Sequence, residues 1–403
     1  MMLARRYRQM MGRCAWLFVA GTALQLCIGK VDAALLAYPW GLVAAVNYLY
    51  LLILLCTHTD RWKWVQQWCD RPAYIVSLAS MLVLTLIFGL VRQDGSTDGW
   101  TGALGWTDMA SSWVFNLFLF HFLTVMGLKA VDDVWHWKAR KGANVVMHAA
   151  FFVIVAAAFF GSGDLQRVRV VTALGYPENR GTLEDGHRVD LPFALVLKEF
   201  SLEEYPPRVY LASSASMADF VVMEGEGSNG QLGDWQVECR EYLEMAGKTS
   251  EEAGYVPLEH VGATTALYLQ ATHRMSGETV EGWVSCGSHI FDGSVLTLPD
   301  GGELVMPRRE VKKYLSAVEV QDKEGKRSYD IAVNHPASFG PWKIYQYSYD
   351  ASRGKWSTTS VLECVKDGWY VAVQTGMWLI LAGGVMMCVR GWSNRKRRKE
   401  GDA

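Results

Sequence analysis

Two histidines lie inside long apolar stretches of the sequence. His121 belongs to "FNLFLFHFLTVMGLK" and His148 belongs to "KGANVVMHAAFFVIV". An ionisable ring in apolar surroundings is costly, and it usually persists because it carries a proton, a metal or a cofactor. The alternative is an imidazole that hydrogen-bonds to a neighbouring helix and has a structural role. Residue type alone leaves both interpretations open.

Neutral imidazole is a strong axial ligand of haem iron, and an apolar helix bundle suits the flat faces of a porphyrin. His121 comes eight residues before Lys129, and His148 comes seven residues after Lys141. At ~1.5 Å per residue, each histidine would lie about 10–12 Å from the basic end of its helix. Consecutive antiparallel helices would then place both rings at similar depth. We therefore treat His148 and His121 as candidate axial ligands of haem.

The elements that carry these histidines belong to a series of apolar stretches with few charges. Each stretch approaches or reaches the roughly 20 residues that cross a ~30 Å hydrocarbon layer. The segment "AAFFVIVAAAFFG" also lacks the polar stripe of a helix on a soluble protein. The pattern predicts a polytopic α-helical membrane protein with about six spans, at residues 15–29, 40–56, 73–90, 110–128, 144–161 and 369–389.

Basic residues are distributed unevenly around these spans. They precede the first span, separate the second from the third and the fourth from the fifth, and follow the last in "RGWSNRKRRKE". Under the positive-inside rule, both termini are cytoplasmic and residues 164–367 lie on the outer side. The start of the chain resembles a secretory signal, but a second span follows at once, so we expect a retained anchor. The net charge of −2 gives no indication of a nucleic-acid partner.

Residues 164–367 are predicted to form one large extracytoplasmic, mainly-β domain. Strands are indicated by "RVRVV", "FALVLKEF", "RVYLAS", "FVVME", "ALYLQATH" and "TVEGWVSC", and hairpins by the turns "PDGG" and "DKEG". The segment "DWQVECREYLEMAG", residues 234–247, is predicted as a helical insertion that ends at Gly247. The domain organisation is a five-span block at 1–163, the β domain at 164–367, and a final span with a basic cytoplasmic tail at 368–403.

A ribbon rich in aromatic residues, "IAVNHPASFGPWKIYQYSYD", precedes the final span. We expect "YDIAVN" and "WKIYQYSYD" to form adjacent strands that are linked by residues 336–341. Packing of tyrosines on a sheet explains most of this composition. The short connection from this ribbon to a membrane span suggests a platform close to the membrane face.

Three cysteines, Cys239, Cys286 and Cys364, fall in the predicted outer domain. An oxidising compartment permits a disulfide between Cys239 and Cys286, although pairing cannot be read from sequence. The chain has no Walker loop, HExxH motif, G-x-S-x-G elbow or dinucleotide fingerprint. It also lacks C-x-x-C-H, which excludes a c-type cytochrome with covalently attached haem.

The end of the predicted β domain carries a set of residues that resembles a known family. The set comprises Val333, Asn334, Pro336, Gly340, Trp342, Tyr345, Gln346, Tyr349 and Asp350, followed by the Gly-rich span in "KDGWYVAVQTGMWLILAGG". It is similar to the closing pattern of the ResB family, also called CcsB, of the system II cytochrome c biogenesis machinery. The stretches "MHAAFFVIVAAAFFGSGDLQRVRV" and "LPFALVLKEFSLEEYPPRVYL" resemble earlier segments of the same family.

The sequence departs from the family pattern in three places. Gly368 follows Asp367 where the family usually has Asp-Pro, and Pro341 precedes Trp342 where glycine is usual. Five spans precede the β domain where three are usual. The first two departures bear on local turn geometry more than on membership of the family.

The resemblance implies that the chain is one half of a membrane complex that delivers haem and ligates it to apocytochrome c. A membrane-block histidine of the family is implicated in holding haem b as a transient substrate, and the matching position here is His148. His121 rests on its depth alone. The chain would be a non-catalytic or scaffold subunit of a cytochrome c haem lyase, without a catalytic residue of its own.

The same resemblance implies partners and a location. The partners are a CcsA-type haem-handling membrane protein, an apocytochrome c and a thioredoxin-like thiol-reducing protein. The location is the bacterial inner membrane, with a periplasmic β domain.

Two other functions fit the residues. Intramembrane histidines also serve membrane transporters and proton relays. An anchored outer domain could instead assemble or bind a partner by edge pairing, without a cofactor. Co-purified haem would separate the first alternative from haem handling, and cytochrome maturation in a deletion strain would separate the second.

Overall fold

The computed structural model describes residues 2–57, 63–137, 142–212, 219–250 and 254–401. The chain divides into two compact units. Met1–Leu165 and Lys366–Ala403 form the helical unit, and Gln166–Val365 forms the β unit. The boundaries expected from the sequence, after residues 163 and 367, each lie two residues from these. The basic segments 58–62 and 138–141, which contribute to the expected orientation, lie outside the described residues.

Within the described residues of the helical unit, six helices are long and apolar enough to cross a membrane. The helices of the described residues are α1 Met2–Ile28, α2 Trp40–Thr57, α3 Lys63–Cys69, α4 Arg71–Leu90, α5 Gly99–Ala103, α6 Trp113–Trp135, α7 Gly142–Phe160 and α8 Tyr370–Gly401. All except the short α3 and α5 are candidate spans. The predicted fold class, a polytopic helical membrane protein with a large β domain, is confirmed.

Helix α6 is the most buried span of the helical unit. It packs against α1, α2, α4 and α7. Gly127 allows close approach at its centre, because a Cβ added there would lie 2.5 Å from Cδ1 of Leu52 on α2 and 2.7 Å from the ring of Phe152 on α7. In a bilayer, apolar side chains gain little free energy by moving from lipid tails to a helix interface, because both surroundings are apolar. Tight packing of this kind therefore holds the helices together. Helix α6 therefore supplies a fixed frame for side chains at its ends.

The described residues of the β unit form three sheets. Its strands are β1 Gln166–Ala173, β2 Pro177–Thr182, β3 Arg188–Glu204, β4 Arg208–Ala212, β5 Phe220–Val222, β6 Asn229–Leu232, β7 Trp235–Ser250, β8 Gly254–Pro257, β9 Thr264–His273, β10 Thr279–Ser285, β11 Leu296–Thr297, β12 Glu303–Val305, β13 Val311–Asp322, β14 Gly325–Ala332, β15 Ala337–Phe339, β16 Trp342–Tyr349 and β17 Thr359–Lys366. The large sheet has the order β14-β13-β3-β2-β1-β17-β16-β15. A second sheet has the order β10-β9-β7-β6 with β8 on β7, and a third has the order β11-β12-β4-β5.

Alternating side chains of the large sheet form one hydrophobic core. Alternate residues of a strand share a face, so these strands place one side-chain set inward. The buried set includes Val168, Val170, Leu195, Leu197, Val318, Val320, Ile344, Leu362 and Cys364. The six strands expected from the sequence are present, and so are both hairpins, β11–β12 around Gly301 and β13–β14 around Asp322.

The prediction of a helix at residues 234–247 is wrong, because this segment belongs to β7. Trp235, Val237 and Cys239 are buried alternately with more exposed residues, which is the period of a strand. The pairing of β7 with β9 then shifts register between Cys239 and Glu241 and again after Leu243. Each bulge changes the face on which the next residues lie, so the apolar spacing imitates that of a helix. The β unit therefore has no helical insertion at these residues.

The expected pairing within the aromatic ribbon is also wrong. "YDIAVN" lies largely in β14 and "WKIYQYSYD" largely in β16, but these strands belong to opposite ends of the strand order. The intervening residues form β15, which pairs with β16 in a tight hairpin. Asn334 and Gly340 adopt positive φ angles of 64° and 54°. Two such turns redirect the chain between β14 and β16, and a sequence pattern alone does not reveal them.

Candidate functional site

The structure brings His148 against a carboxylate near the end of α6. Nδ1 of His148 on α7 lies 2.6 Å from Oδ2 of Asp133. The Asp133 side chain is 3% exposed, and Lys129, one turn earlier on α6, donates a hydrogen bond to its Oδ1. The ring of Tyr74 on α4 meets the His148 ring edge to face, with the centroids 5.7 Å apart. Side chains from α4 and α6 therefore fix the position of this imidazole.

Lys129 offsets the charge of the buried carboxylate. Its Nζ also lies 3.6 Å from Oδ2 of Asp132, and Oδ1 of Asp132 lies 3.0 Å from Nδ1 of His136. We refer to Lys129, Asp132, Asp133, His136 and His148 as the α6–α7 polar cluster. Pairing within the cluster lowers the cost of keeping ionised groups in an apolar span.

The hydrogen bond to Asp133 determines which nitrogen of His148 can bind a ligand. An ionised carboxylate only accepts hydrogen bonds, so a neutral imidazole in this contact would carry its proton on Nδ1. Nε2 then carries the lone pair, on a side chain that is 23% exposed. Metal-ligating histidines commonly donate their second N–H to a carboxylate in this way. The arrangement can hold a metal at Nε2, and it can also move a proton between His148 and Asp133.

His121 has different surroundings. Its ring is buried on α6 and meets the ring of Trp68 on α3 edge to face, with the centroids 5.2 Å apart. It lines a groove of about 610 Å³ together with Arg13 and Trp16 of α1. The guanidinium of Arg13 lies over the Trp68 ring, 5.4 Å from its centroid. The groove is thus lined by two tryptophans, the imidazole and a guanidinium among apolar residues.

The two candidate histidines do not lie at similar depth, contrary to expectation. His148 contacts Asp133, which follows His121 on α6 by 12 residues. At ~1.5 Å per residue, this places the contact about 18 Å along α6 from His121. The expectation failed because α6 continues past Lys129 to Trp135. Two imidazoles separated in this way belong to two sites, and they do not share one iron.

Asp133 is the residue of this site that sequence reasoning missed. The signal was the spacing in "KAVDDVW", where a lysine and a carboxylate stand four residues apart in an otherwise apolar helix. Residues at this spacing lie on one helix face, so Lys129 and Asp133 can pair within the span. An ionisable residue inside a span is by itself a reason to look for a functional site.

The residues of the family motif pack, form hydrogen bonds or lie in turns of the β unit. Trp342 is buried beside Phe193, and Gln346 donates a hydrogen bond of 2.8 Å to Oγ of Ser360. Tyr345 is half-buried in β16, and Pro336 lies in the turn before β15. These positions support the packing explanation of the ribbon.

Two further motif residues lie at the end of β16. The Tyr349 ring packs on Phe200 and Tyr314, with centroids 5.2 and 4.9 Å away. A hydrogen bond from the Ser352 hydroxyl holds the pKa of Asp350 below its usual value. Asp350 therefore stays ionised and stabilises the turn that follows the strand.

The candidate disulfide between Cys239 and Cys286 is not formed, and both thiols are free. Cys239 lies in β7 opposite Leu269 of β9, and Leu269 is paired with Gly282 of β10. Strand β9 thus separates the two cysteine-bearing segments by two interstrand spacings, ~10 Å. A disulfide requires Cα atoms within about 7 Å, so this register prevents a bridge.

The buried cysteines of the β unit are poor nucleophiles. Burial raises the pKa of Cys239 to about 11 and that of Cys364 to about 12. The thiolate is the reactive form, so both side chains behave as small apolar groups at neutral pH.

Comparison with known families adds to this geometry. Residues 297–374 match the model of the ResB-like family. The ResB resemblance is confirmed. The matched segment runs from β11 into α8 and includes Asn334, Pro336, Trp342, Tyr345, Gln346, Tyr349 and Asp350. It does not include His121 or His148.

One solved structure, "Cytochrome c Heme Lyase CcmF", is similar at 11% identity and a TM-score of 0.21. The alignment covers 87% of this chain and 46% of the CcmF chain, so this chain spans about half the length of that protein. A likeness at this TM-score carries no argument about fold or function. No curated protein matches the chain significantly.

Proposed function

We propose that this protein acts in cytochrome c biogenesis, where it holds haem in the helical unit at His148 and presents it to an apocytochrome beside the β unit. The observation that carries the proposal is the ResB-like match of residues 297–374. The protein would act with a CcsA-type partner, as a scaffold subunit of a haem lyase complex. It would lie in the inner membrane with its β unit in the periplasm and both termini in the cytoplasm.

The hydrogen bond between His148 and Asp133 supports haem binding at this residue. It holds Nδ1 in the protonated form and leaves the Nε2 lone pair for iron. Lys129 pairs with Asp133, which offsets the charge of this carboxylate within the span. His121 is a second, separate candidate position with its own aromatic groove.

Haem attachment needs little chemistry from the protein beyond placement. Addition of a cysteine thiol to a haem vinyl group breaks the S–H bond and the C=C π bond, and it forms one C–S and one C–H bond. No further reactant is consumed, so orientation of the two groups supplies most of the acceleration. The β unit would hold the unfolded apocytochrome so that both of its thiols meet the vinyl groups, and a thioredoxin-like partner would keep those thiols reduced.

The experiment is co-expression with a CcsA-type partner and a reporter apocytochrome, with covalent haem on the reporter as the readout. We expect attachment with the wild type, loss of attachment with His148→Ala, and normal attachment with His136→Ala as a matched exposed histidine of the same cluster. Normal attachment with His148→Ala would contradict the proposal, provided that membrane levels of the variants are equal.

One observation favours a second function. The α6–α7 polar cluster joins a lysine, a carboxylate and an imidazole through short contacts, which is also the composition of an intramembrane proton relay. A protein that is purified free of haem from haem-replete cells, and that conducts protons in vesicles until Asp133 is replaced, would favour this function.

A further inference from the structure

The β unit contains a polar cleft that the proposed function does not yet use. Its volume is about 270 Å³, and it is lined by residues of β3, β9, β13 and β16 together with three connecting segments. These are residues 286–289 after β10, the residues Arg308 and Arg309 before β13, and residues 351–356 after β16. Four cationic side chains line the cleft, whereas Glu204 is the one carboxylate among its described lining residues. The cleft therefore attracts anions.

The charge of Arg309 in the cleft is balanced by two carboxylates of the β unit. Its Nη1 lies 2.6 Å from Oε1 of Glu244, and its Nε lies 3.7 Å from Oε2 of Glu204. Nε also donates a hydrogen bond to the carbonyl oxygen of Tyr205. With a side chain only 9% exposed, Arg309 connects the end of β3 to β7 and is unavailable to a ligand.

The other three cations of the cleft, Arg308, Arg353 and Lys355, form fewer contacts with carboxylates. Arg353 lies 3.6 Å from the carboxylate of Asp350. Arg308 donates a long hydrogen bond of 3.4 Å to the carbonyl oxygen of Ala351, and Nζ of Lys355 lies 5.5 Å from the centre of the Trp356 ring. Within the described part of the chain, neither Arg308 nor Lys355 has a carboxylate within ion-pair distance. Two cations can thus take an anionic group from outside without breaking an ion pair.

The size and lining of the cleft indicate the class of ligand. A whole drug-sized molecule needs about 300–1,000 Å³, so this cleft admits only the polar edge of a larger ligand. A carboxylate offers two acceptor oxygens that match the planar fork of an arginine and the ammonium of a lysine. The rings of Tyr349 and Trp356 beside the cations supply apolar surface for a flat group.

We propose that the cleft binds a propionate carboxylate of the haem cargo, held between Arg308 and Lys355, while the ring remains outside the cleft. This inference rests on the proposed function, since it takes haem as the molecule that the β unit meets. Held by one carboxylate edge, the macrocycle directs its opposite, vinyl-bearing edge away from the cleft and toward an incoming thiol. The cleft is thereby an orienting site and takes no part in bond formation.

The test uses the full chain in nanodiscs of a neutral lipid and iron-free mesoporphyrin IX as the probe, with porphyrin fluorescence as the readout and empty nanodiscs subtracted. Iron-free porphyrin cannot bind through imidazole ligation, so the measurement is independent of His148. The double variant Arg308→Gln/Lys355→Gln should bind mesoporphyrin roughly tenfold or more weakly than the wild type, because it loses two charge-assisted contacts. The matched control is Arg274→Gln/Lys323→Gln, which removes two exposed cations of the β unit outside the cleft.

The ester of the probe identifies the group that is recognised. Mesoporphyrin dimethyl ester should bind wild type and both double variants equally, since it lacks the carboxylates. Equal binding of the free acid to the wild type and the cleft variant would overturn the inference, and so would an equal loss in the control variant. Loss of haem from His148→Ala, with no effect of the cleft substitutions, would contradict the inference about the cleft and would not contradict the proposed function.

Discussion

At the scale of single residues, the hydrogen bond to Asp133 distinguishes His148 from a histidine that only packs between helices. Asp133 accepts from Nδ1, and Lys129 balances the carboxylate. The sequence could indicate His148, because an imidazole in an apolar run is conspicuous. It could not indicate the partner, because contact between α6 and α7 depends on how far α6 continues beyond Lys129.

Replacement of Asp133 tests its role as a positioning residue. Asp133→Leu should lower haem affinity roughly 10–100-fold, as is typical when the partner of a ligating histidine is lost. Asp133→Asn keeps an acceptor but removes the charge, so it should retain haem and raise its reduction potential. Potentiometric titration of the purified protein measures this shift.

Asp132→Asn is the matched control, because it removes an equal charge from the same turn of α6, where the carboxylate lies against His136 and Lys129. An unchanged potential in Asp133→Asn, together with full haem occupancy in Asp133→Leu, would show that the carboxylate has only a structural role.

At the scale of elements, regular alternation and turn chemistry were sufficient for much of the β unit. The hairpins β11–β12 and β13–β14 follow from "PDGG" and "DKEG", because local residues determine such turns. Strand β7 was missed because its bulges disturb the period-2 pattern. That β14 and β16 are not hydrogen-bonded neighbours was missed because strand order depends on contacts that are remote in sequence.

Arg309 gives an element-scale prediction, since it ties β3 to β7 and to the segment before β13. Arg309→Met should lower the free energy of unfolding by about 1–3 kcal/mol, less than for a fully buried pair because the Glu244 side chain is 52% exposed. The exposed neighbour Arg308→Met should have little effect. Denaturant unfolding of the full chain, with a spectroscopic signal of the β unit as the readout, measures the free energy of unfolding of both variants. Equal losses of stability in the two variants would contradict the role of Arg309 as the residue that connects β3 to β7.

The same ion pairs predict how this contribution depends on pH. Burial favours a higher pKa for Glu244, but hydrogen bonds from Tyr242 and Arg309 lower it overall. A lowered folded-state pKa stabilises the fold above the unfolded-state value, and this stability is lost as pH falls through the folded-state pKa. Burial raises the pKa of Glu204, so its protonation on acidification offsets part of the loss. The difference between wild type and Arg309→Met should therefore shrink on acidification, and a difference that grows would contradict this explanation.

At the scale of the whole molecule, six spans could be predicted because hydropathy over about 20 residues is a strong signal. The position of the β unit between the fifth and sixth candidate spans followed from the same pattern. The depth of the two histidines did not follow, because hydropathy does not locate the exact end of a helix.

The expected orientation can be checked with impermeant thiol reagents. Met275 is 87% exposed in a turn of the β unit, so a cysteine introduced by Met275→Cys should be labelled in intact spheroplasts. Ala403→Cys at the end of the basic tail should be labelled only after permeabilisation. The reverse pattern would place the β unit in the cytoplasm and contradict delivery to an apocytochrome outside.

The central claim is that His148 holds haem inside the helical unit. Its most direct test is the absorption spectrum of the protein purified from haem-replete cells. We predict a Soret band for the wild type and for His121→Ala, and loss of the band for His148→Ala at equal protein yield. A colourless wild type, or a His148→Ala variant with the same haem content and spectrum as the wild type, would contradict the account.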